Sequence, residues 1–134
     1  MANDKDELLQ ATSEAEEALV VALLLLGSGN YPERRTAMDE VLKVVNPDDL
    51  RFHGLMFQAM VDTHLSGAPA NPVSITQFLS QNNRLWDGCC AEMTRLISEC
   101  YVSPYDYLYY AQAVKVYSEH RQGITGKPKF KDNI

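Results

Sequence analysis

The histidines are the first residues to consider for chemistry, because imidazole can serve as a metal ligand or as a general base. His53, His64 and His120 lie far apart, and none belongs to an HExxH motif or to a cluster with cysteine. Zinc sites need such spacings. The sequence therefore predicts no metal site, and we expect His53, at the start of a helix, to form a structural hydrogen bond.

The three cysteines indicate neither a zinc site nor a disulfide framework. Cys89 and Cys90 are adjacent, Cys100 stands apart, and no CxxC spacing occurs. A catalytic thiolate needs an activating histidine or basic neighbour, and the sequence offers no such arrangement. We expect reduced thiols in the core of a cytoplasmic protein.

Three glutamates near the N-terminus could be taken for a carboxylate pair that performs acid–base catalysis. Glu14, Glu16 and Glu17 follow Ser13, and Ser13 with Glu16 has the spacing of a capping box. Paired-carboxylate catalysis would need a second, facing cluster, and none is evident. We interpret these glutamates as residues of a first helical turn, where they stabilise the helix through its dipole.

Neither nucleotide chemistry nor nucleic-acid binding is predicted. No GxGxxG motif occurs, and no GxxxxGK followed by Ser or Thr, so we expect no cofactor, no motor and no catalytic residue in this chain. The net charge of -6 and the pI near 4.9 oppose direct nucleic-acid binding, which depends on lysine and arginine contacts to phosphates. Lys127, Lys129 and Lys131 could form a basic patch, but are expected to lie in a solvated tail.

Tyrosines are concentrated near the C-terminus, where six of the chain's seven lie between residues 101 and 117. A helix cannot bury Tyr107, Tyr109 and Tyr110 on one face, because residue 109 projects away from the other two. A ring with a polar hydroxyl suits an interface. We predict a partner surface that contains Tyr105, Tyr109 and Tyr117; the alternative is core packing with the hydroxyls at the surface.

Helical periodicity runs through the chain, and no strand pattern competes with it. Residues 18–26 are apolar on nearly every face but too few to cross a membrane, which takes about 20 residues. They predict a buried central helix that ends at Gly27. Five further helices are predicted: from Pro32 to Val45, from an Asn46 cap to Leu65, from an Asn71 cap to Leu79, from Asp87 to Cys100 and from a Ser103 cap to Gln122. The prediction is an all-α, compact orthogonal bundle of about six helices around a buried first helix.

The length of 134 residues and the hydrophobic content of 46% suit one domain with one core. We predict that this domain spans residues 13–122. Residues 1–12 are expected to be a flexible N-terminal segment and residues 123–134 a flexible tail or the start of a linker. Glycines and a proline predict the end of the last helix: Gly123, Gly126 and Pro128.

Short motifs occur in a fixed order along residues 13–121. They are Glu14-Ala15-Glu16-Glu17-Ala18 before the aliphatic run, Asp49-Leu50 before His53-Gly54-Leu55-Met56-Phe57-Gln58-Ala59, then Gly67-Ala68-Pro69, Thr76 with Leu79, and the stretch from Asp106 to Val114. This order resembles the N-terminal domain of DnaB-type bacterial replicative helicases. Val21 stands where that family has a glycine, and family members usually continue the last helix into a protruding helical hairpin.

The resemblance implies a non-catalytic, cytoplasmic interaction head that acts in DNA replication, in bacteria or phage. Such a head would organise helicase subunits, self-associate, and dock primase, a helicase loader or a full-length helicase, without touching DNA or a membrane. The chain would be either a fragment of a helicase or a free-standing homologue. The alternative is an unrelated small helical adaptor or dimerisation module.

Overall fold

Six α-helices make up the fold. The computed structural model describes residues 4–29 and 34–123, and its helices are α1 (Asp4–Ser28), α2 (Arg34–Leu42), α3 (Gly54–Leu65), α4 (Pro72–Gln81), α5 (Cys89–Glu99) and α6 (Tyr107–Gln122). Two 3-10 turns, Pro47–Asp49 and Pro104–Asp106, precede α3 and α6. These residue ranges contain no strand, so the predicted all-α class is confirmed.

The second half of α1 is the centre of the molecule. Residues 18–24 are buried, and Leu26 and Gly27 are buried after them. Around α1 pack α2, α5, α6 and the second 3-10 turn. A helix that is apolar on every face is stable in water only when other elements surround it, so the predicted buried first helix is confirmed. In the two described ranges, no helix is long and apolar enough to span a membrane.

The predicted start of α1 is wrong. The helix begins at Asp4 rather than at Ser13, so Ser13 and Glu16 lie within it and form no capping box. Buried Thr12 and half-buried Leu8 and Leu9 explain the extension, since they lie beside the last turns of α6. Residues 4–12 are therefore helical, whereas residues 124–134 of the predicted tail, with the three lysines, lie outside the described ranges.

The prediction of a single helix from Asn46 to Leu65 is also wrong. The 3-10 turn at Pro47–Asp49 is followed by the non-helical residues 50–53, and α3 begins only at Gly54. We call residues 46–53 the connector. Its predicted cap is confirmed: Asn46 Oδ1 accepts the amide of Asp48 at 2.9 Å, and the Asp49 carboxylate accepts the amide of Asn46 at 2.9 Å.

The connector is held by a buried carboxylate of α1. Glu16 is fully buried, and it accepts hydrogen bonds from three successive backbone amides: Arg51 at 2.7 Å, Phe52 at 2.8 Å and His53 at 2.9 Å. A buried carboxylate is tolerated only when its lone pairs have donors. Glu16 therefore joins α1 to the start of α3.

A second buried carboxylate joins the connector to α6. Asp49 Oδ1 accepts the Ser118 hydroxyl at 2.6 Å and lies 3.5 Å from Lys115 Nζ. The Arg121 guanidinium donates to the backbone carbonyl of Asp49 at 3.0 Å. Both buried acids therefore have structural partners, and the connector touches both long helices.

Close packing at the end of α1 requires a glycine. A Cβ atom on Gly27 would lie 2.3 Å from the carbonyl oxygen of Ala70, closer than non-bonded atoms can approach. The Asn71 side chain donates to the Gly27 carbonyl at 3.0 Å and accepts the Ser74 amide at 2.9 Å. The predicted Asn71 cap of α4 is thus confirmed, and the same residue also binds α1.

Of the two predicted ends of α6, the cap at Ser103 is wrong and the stop at Gly123 is confirmed. Ser103 makes no side-chain cap, and a 3-10 turn stands between it and α6. Gly123 ends α6 in the left-handed region, at φ 76°, as predicted. Leu55 and Leu65 of α3 are 62% and 70% exposed, so none of the described helices covers these two side chains.

Replacing the buried carboxylate tests its role in stability. We expect Glu16→Gln to lower the free energy of unfolding by about 2–4 kcal/mol, because charge-assisted bonds are lost and an amide N–H is left facing backbone donors. Chemical denaturation followed by circular dichroism measures this. Glu14→Gln is the matched control: Glu14 is exposed on the same helix, so its change should stay within about 0.5 kcal/mol. If the two substitutions lowered the free energy of unfolding equally, the stabilising role assigned to Glu16 would be contradicted.

Candidate protein-interaction surface

Three large aromatic rings project into solvent between α5 and α6. Tyr101, Tyr105 and Tyr109 are 92%, 58% and 69% exposed, and we call them the tyrosine surface. Tyr105 lies in the second 3-10 turn and Tyr109 in the first turn of α6. The Tyr109 ring packs edge-on against Tyr110, with centroids 5.8 Å apart, an arrangement that orients it.

The neighbouring tyrosines have structural roles. The Tyr107 hydroxyl donates to Glu40 at 2.6 Å and so joins α6 to α2. Tyr110 packs against the core, and burial, followed by the nearby Asp106 carboxylate, raises the pKa of its hydroxyl. The prediction that Tyr109 could not share a buried face with Tyr107 and Tyr110 is confirmed.

The third predicted interface residue, Tyr117, lines a cleft and has Tyr109 nearby. Tyr117 is half-buried. Burial raises the pKa of its hydroxyl, and the nearby Tyr109 and Glu14 side chains raise it further. The cleft, which we call the basic cleft, measures about 230 Å³. It lies between the first turns of α1 and the last turns of α6, and its lining residues are Lys5, Leu8, Leu9, Thr12, Arg51, Tyr117, His120 and Arg121.

Sequence reasoning missed the basic cleft. Its cationic residues come from three separate parts of the chain, Lys5, Arg51 and the end of α6, and the α1 part was expected to be flexible. The available signal was the spacing of Leu8, Leu9 and Thr12. Residues three and four positions apart share one face of a helix, so this spacing indicates that α1 begins before Ser13.

Two of the histidines lie close to carboxylates. Buried His53 lies 3.3 Å from Glu17 and 4.0 Å from Glu92, so it stands between α1 and α5. His64 bonds Asp39 at 2.8 Å and joins α3 to α2. In the described part of the chain, no group of three or more His, Cys, Asp or Glu residues could hold a metal ion.

The expectation of core thiols holds for one cysteine and fails for another. Cys89 is buried, and burial, then the nearby Cys90 and Glu92, raises the pKa of its thiol to about 11. Cys100 is half-buried, and burial followed by the Glu17 carboxylate raises its pKa. Cys90 is exposed in a shallow groove between α4 and α5, where its sulfur lies 3.4 Å from Thr76 Oγ1. Of the two adjacent cysteines, Cys89 thus lies in the core and Cys90 faces solvent.

The family model described as the DnaB-like helicase N terminal domain matches residues 9–116. The chain belongs to this family. Neither a curated protein nor a solved structure matches it.

Membership of the DnaB-like N-terminal domain family excludes the alternative of an unrelated helical module. The match extends from α1 to α6 and includes the whole tyrosine surface. The basic cleft lies across its edges: Lys5, Leu8 and the lining residues of α6 are outside the matched range, whereas Leu9, Thr12 and Arg51 are inside it.

Thiol reactivity should separate the three cysteines of this DnaB-like domain. We expect a maleimide at about pH 7 to modify Cys90 first and Cys89 last, because the reagent needs both access and a thiolate. Mass spectrometry of proteolytic fragments over time measures the order. In Cys90→Ser the fast phase should vanish, and fast labelling of Cys89 in that variant would contradict the described burial.

Proposed function

We propose that this DnaB-like domain is a non-catalytic protein-interaction head of a replicative DNA helicase, or a free-standing homologue of such a head. It would act in DNA replication by organising helicase subunits and by docking primase or a helicase loader. Family membership supports the helicase connection. The tyrosine surface supports action through protein contacts.

The observation that carries the proposal is the exposure of the three tyrosines. A buried tyrosine removes about 150–250 Å² from water, so leaving Tyr101, Tyr105 and Tyr109 exposed forgoes considerable stabilisation. Tyr105, in the 3-10 turn, and Tyr109, in the first turn of α6, are only four residues apart along the chain. Tyrosine is enriched among the residues that dominate binding energy at protein interfaces. The predicted interface of Tyr105 and Tyr109, with Tyr117 at its edge, therefore becomes our proposed docking surface.

The buried acids support a non-catalytic role. Glu16 accepts three backbone amides, and Asp49 accepts the Ser118 hydroxyl and the Asn46 amide. A general base must have a lone pair within reach of a substrate proton. Because these buried carboxylates already accept hydrogen bonds inside the fold, their role is to hold parts of the chain together.

Binding of primase tests the docking surface. Isotope-labelled protein titrated with the helicase-binding domain of the host's primase should show amide shifts clustered between Tyr101 and Tyr117. The double variant Tyr105→Ser/Tyr109→Ser should bind about tenfold more weakly, since two interface rings are removed. Val73→Ser, which removes a 77% exposed apolar side chain from α4, is the control and should bind normally.

Other outcomes of this titration would count against the proposal. Shifts confined to α4 and α5, with the tyrosine variant binding normally, would show that the docking surface is wrong. No shifts at high micromolar primase domain would remove primase as the partner.

Weak self-association is expected from the same exposed rings. Static light scattering at increasing protein concentration should show a rising average mass. The Tyr105→Ser/Tyr109→Ser variant should reduce this rise, because the contact loses its largest apolar groups. A strictly monomeric mass at the highest concentration would contradict self-association.

A further inference from the structure

The basic cleft concentrates positive charge on an acidic protein. Lys5, Arg51 and Arg121 line one cleft, and no acidic residue is among its lining residues, although the chain carries a net charge of -6. Neighbouring cations repel one another, and here the lining itself supplies no carboxylate to balance them. The cleft is therefore suited to an anionic group from outside the domain.

The arginines of the cleft are oriented by the connector. Arg121 donates to the Asp49 carbonyl at 3.0 Å, and a guanidinium has further N–H donors beyond that bond. Arg51 follows Asp49 by two residues, its backbone amide is held by Glu16, and its guanidinium lies 5.5 Å from the centre of the Phe52 ring. Oriented guanidinium groups bind carboxylates with less loss of entropy than freely moving ones.

A buried nitrogen beside these cations adds an unused hydrogen-bonding group. His120 lines the cleft, and its Nδ1 atom is buried without a hydrogen-bond partner among the residues that the structure describes. Buried polar atoms normally have a partner.

The remainder of the lining is apolar. Leu8 and Leu9 are half-buried on α1, and the Tyr117 ring lies on the α6 side. A purely ionic ligand would leave these groups without contacts, whereas a ligand with both carboxylates and an aliphatic side chain would satisfy both parts of the cleft. A volume of about 230 Å³ can hold one or two side chains rather than a folded element.

We propose that the basic cleft binds a short acidic segment of a partner protein. In this arrangement, carboxylates contact Lys5, Arg51 and Arg121, and one aliphatic side chain packs on Leu8, Leu9 and Tyr117. The inference rests on the proposed function, because it assigns the segment to a protein partner. It adds a second contact, which adjoins the tyrosine surface at Tyr117.

Charge along α1 favours an acidic peptide over nucleic acid. Exposed Asp6, Glu7 and Glu14 lie on the same helix as Lys5, and a polyanion with evenly spaced phosphates would meet them as well as the cations. A peptide can place carboxylates only where cations stand. The net negative charge of the chain also opposes the binding of nucleic acid.

Fluorescence anisotropy with a labelled peptide tests the cleft. The probe is an amphipathic peptide of glutamate, leucine and alanine; the control peptide has glutamine in place of every glutamate. We expect the acidic peptide alone to bind, more weakly as salt increases, with amide shifts at residues 5–12, 51 and 117–121. Lys5→Gln/Arg51→Gln should weaken binding about tenfold.

A matched variant separates the site from net charge. Lys43→Gln/Arg95→Gln also removes two positive charges, from exposed positions outside the cleft, and should change affinity less than about twofold. Equal weakening by both double variants would overturn the proposal, as would equal binding of the glutamine peptide. A thymidine oligonucleotide that binds as tightly and shifts the same amides would also overturn it.

The test distinguishes this inference from the proposed function. If primase binds through the tyrosine surface but the acidic peptide does not bind, the cleft proposal fails and the proposed function stands. If the peptide binds and primase does not, the cleft is an acidic-segment site and primase is not the partner.

Discussion

The rest of the structure depends on the hydrogen bonds that the buried Glu16 carboxylate accepts. A buried charge must have donors, and this one receives them from three successive backbone amides of residues 51–53. Those amides precede α3 and have no helical partners of their own. One side chain of α1 therefore holds the segment that leads into α3 against the central helix, although that segment follows Glu16 by more than 30 residues.

The position of the connector then determines where α6 lies. Asp49, in the middle of the connector, accepts the Ser118 hydroxyl and offers its carbonyl to Arg121. The last turns of α6 are thereby placed beside the first turns of α1, and the basic cleft forms between them. Burial of the aliphatic helix supplies most of the favourable free energy, whereas this polar network selects which elements meet.

In this DnaB-like domain, most residues that hold the fold together lie inside, and the residues proposed to bind partners lie at the surface. Acids and histidines in the interior bind other parts of the chain: Glu16, Asp49 and His64 each have a short hydrogen bond within the fold. Groups suited to binding another molecule lie at the surface, as exposed tyrosines and as cations around an apolar floor. Such a division is what a protein-interaction head requires, because a rigid core presents its surface groups in fixed positions.

The sequence by itself determined the features that depend on neighbouring residues. The aliphatic run 18–26 requires a buried helix, and the caps at Asn46, Asn71 and Gly123 act within a few residues of themselves. Features that depend on distant residues were decided only by the tertiary structure. Glu16 is spaced like a helix cap, and only the fold brings residues 51–53 to it. Likewise, Leu55 and Leu65 fit a core stripe but are exposed, because burial depends on whether another helix covers that face, and periodicity does not encode this.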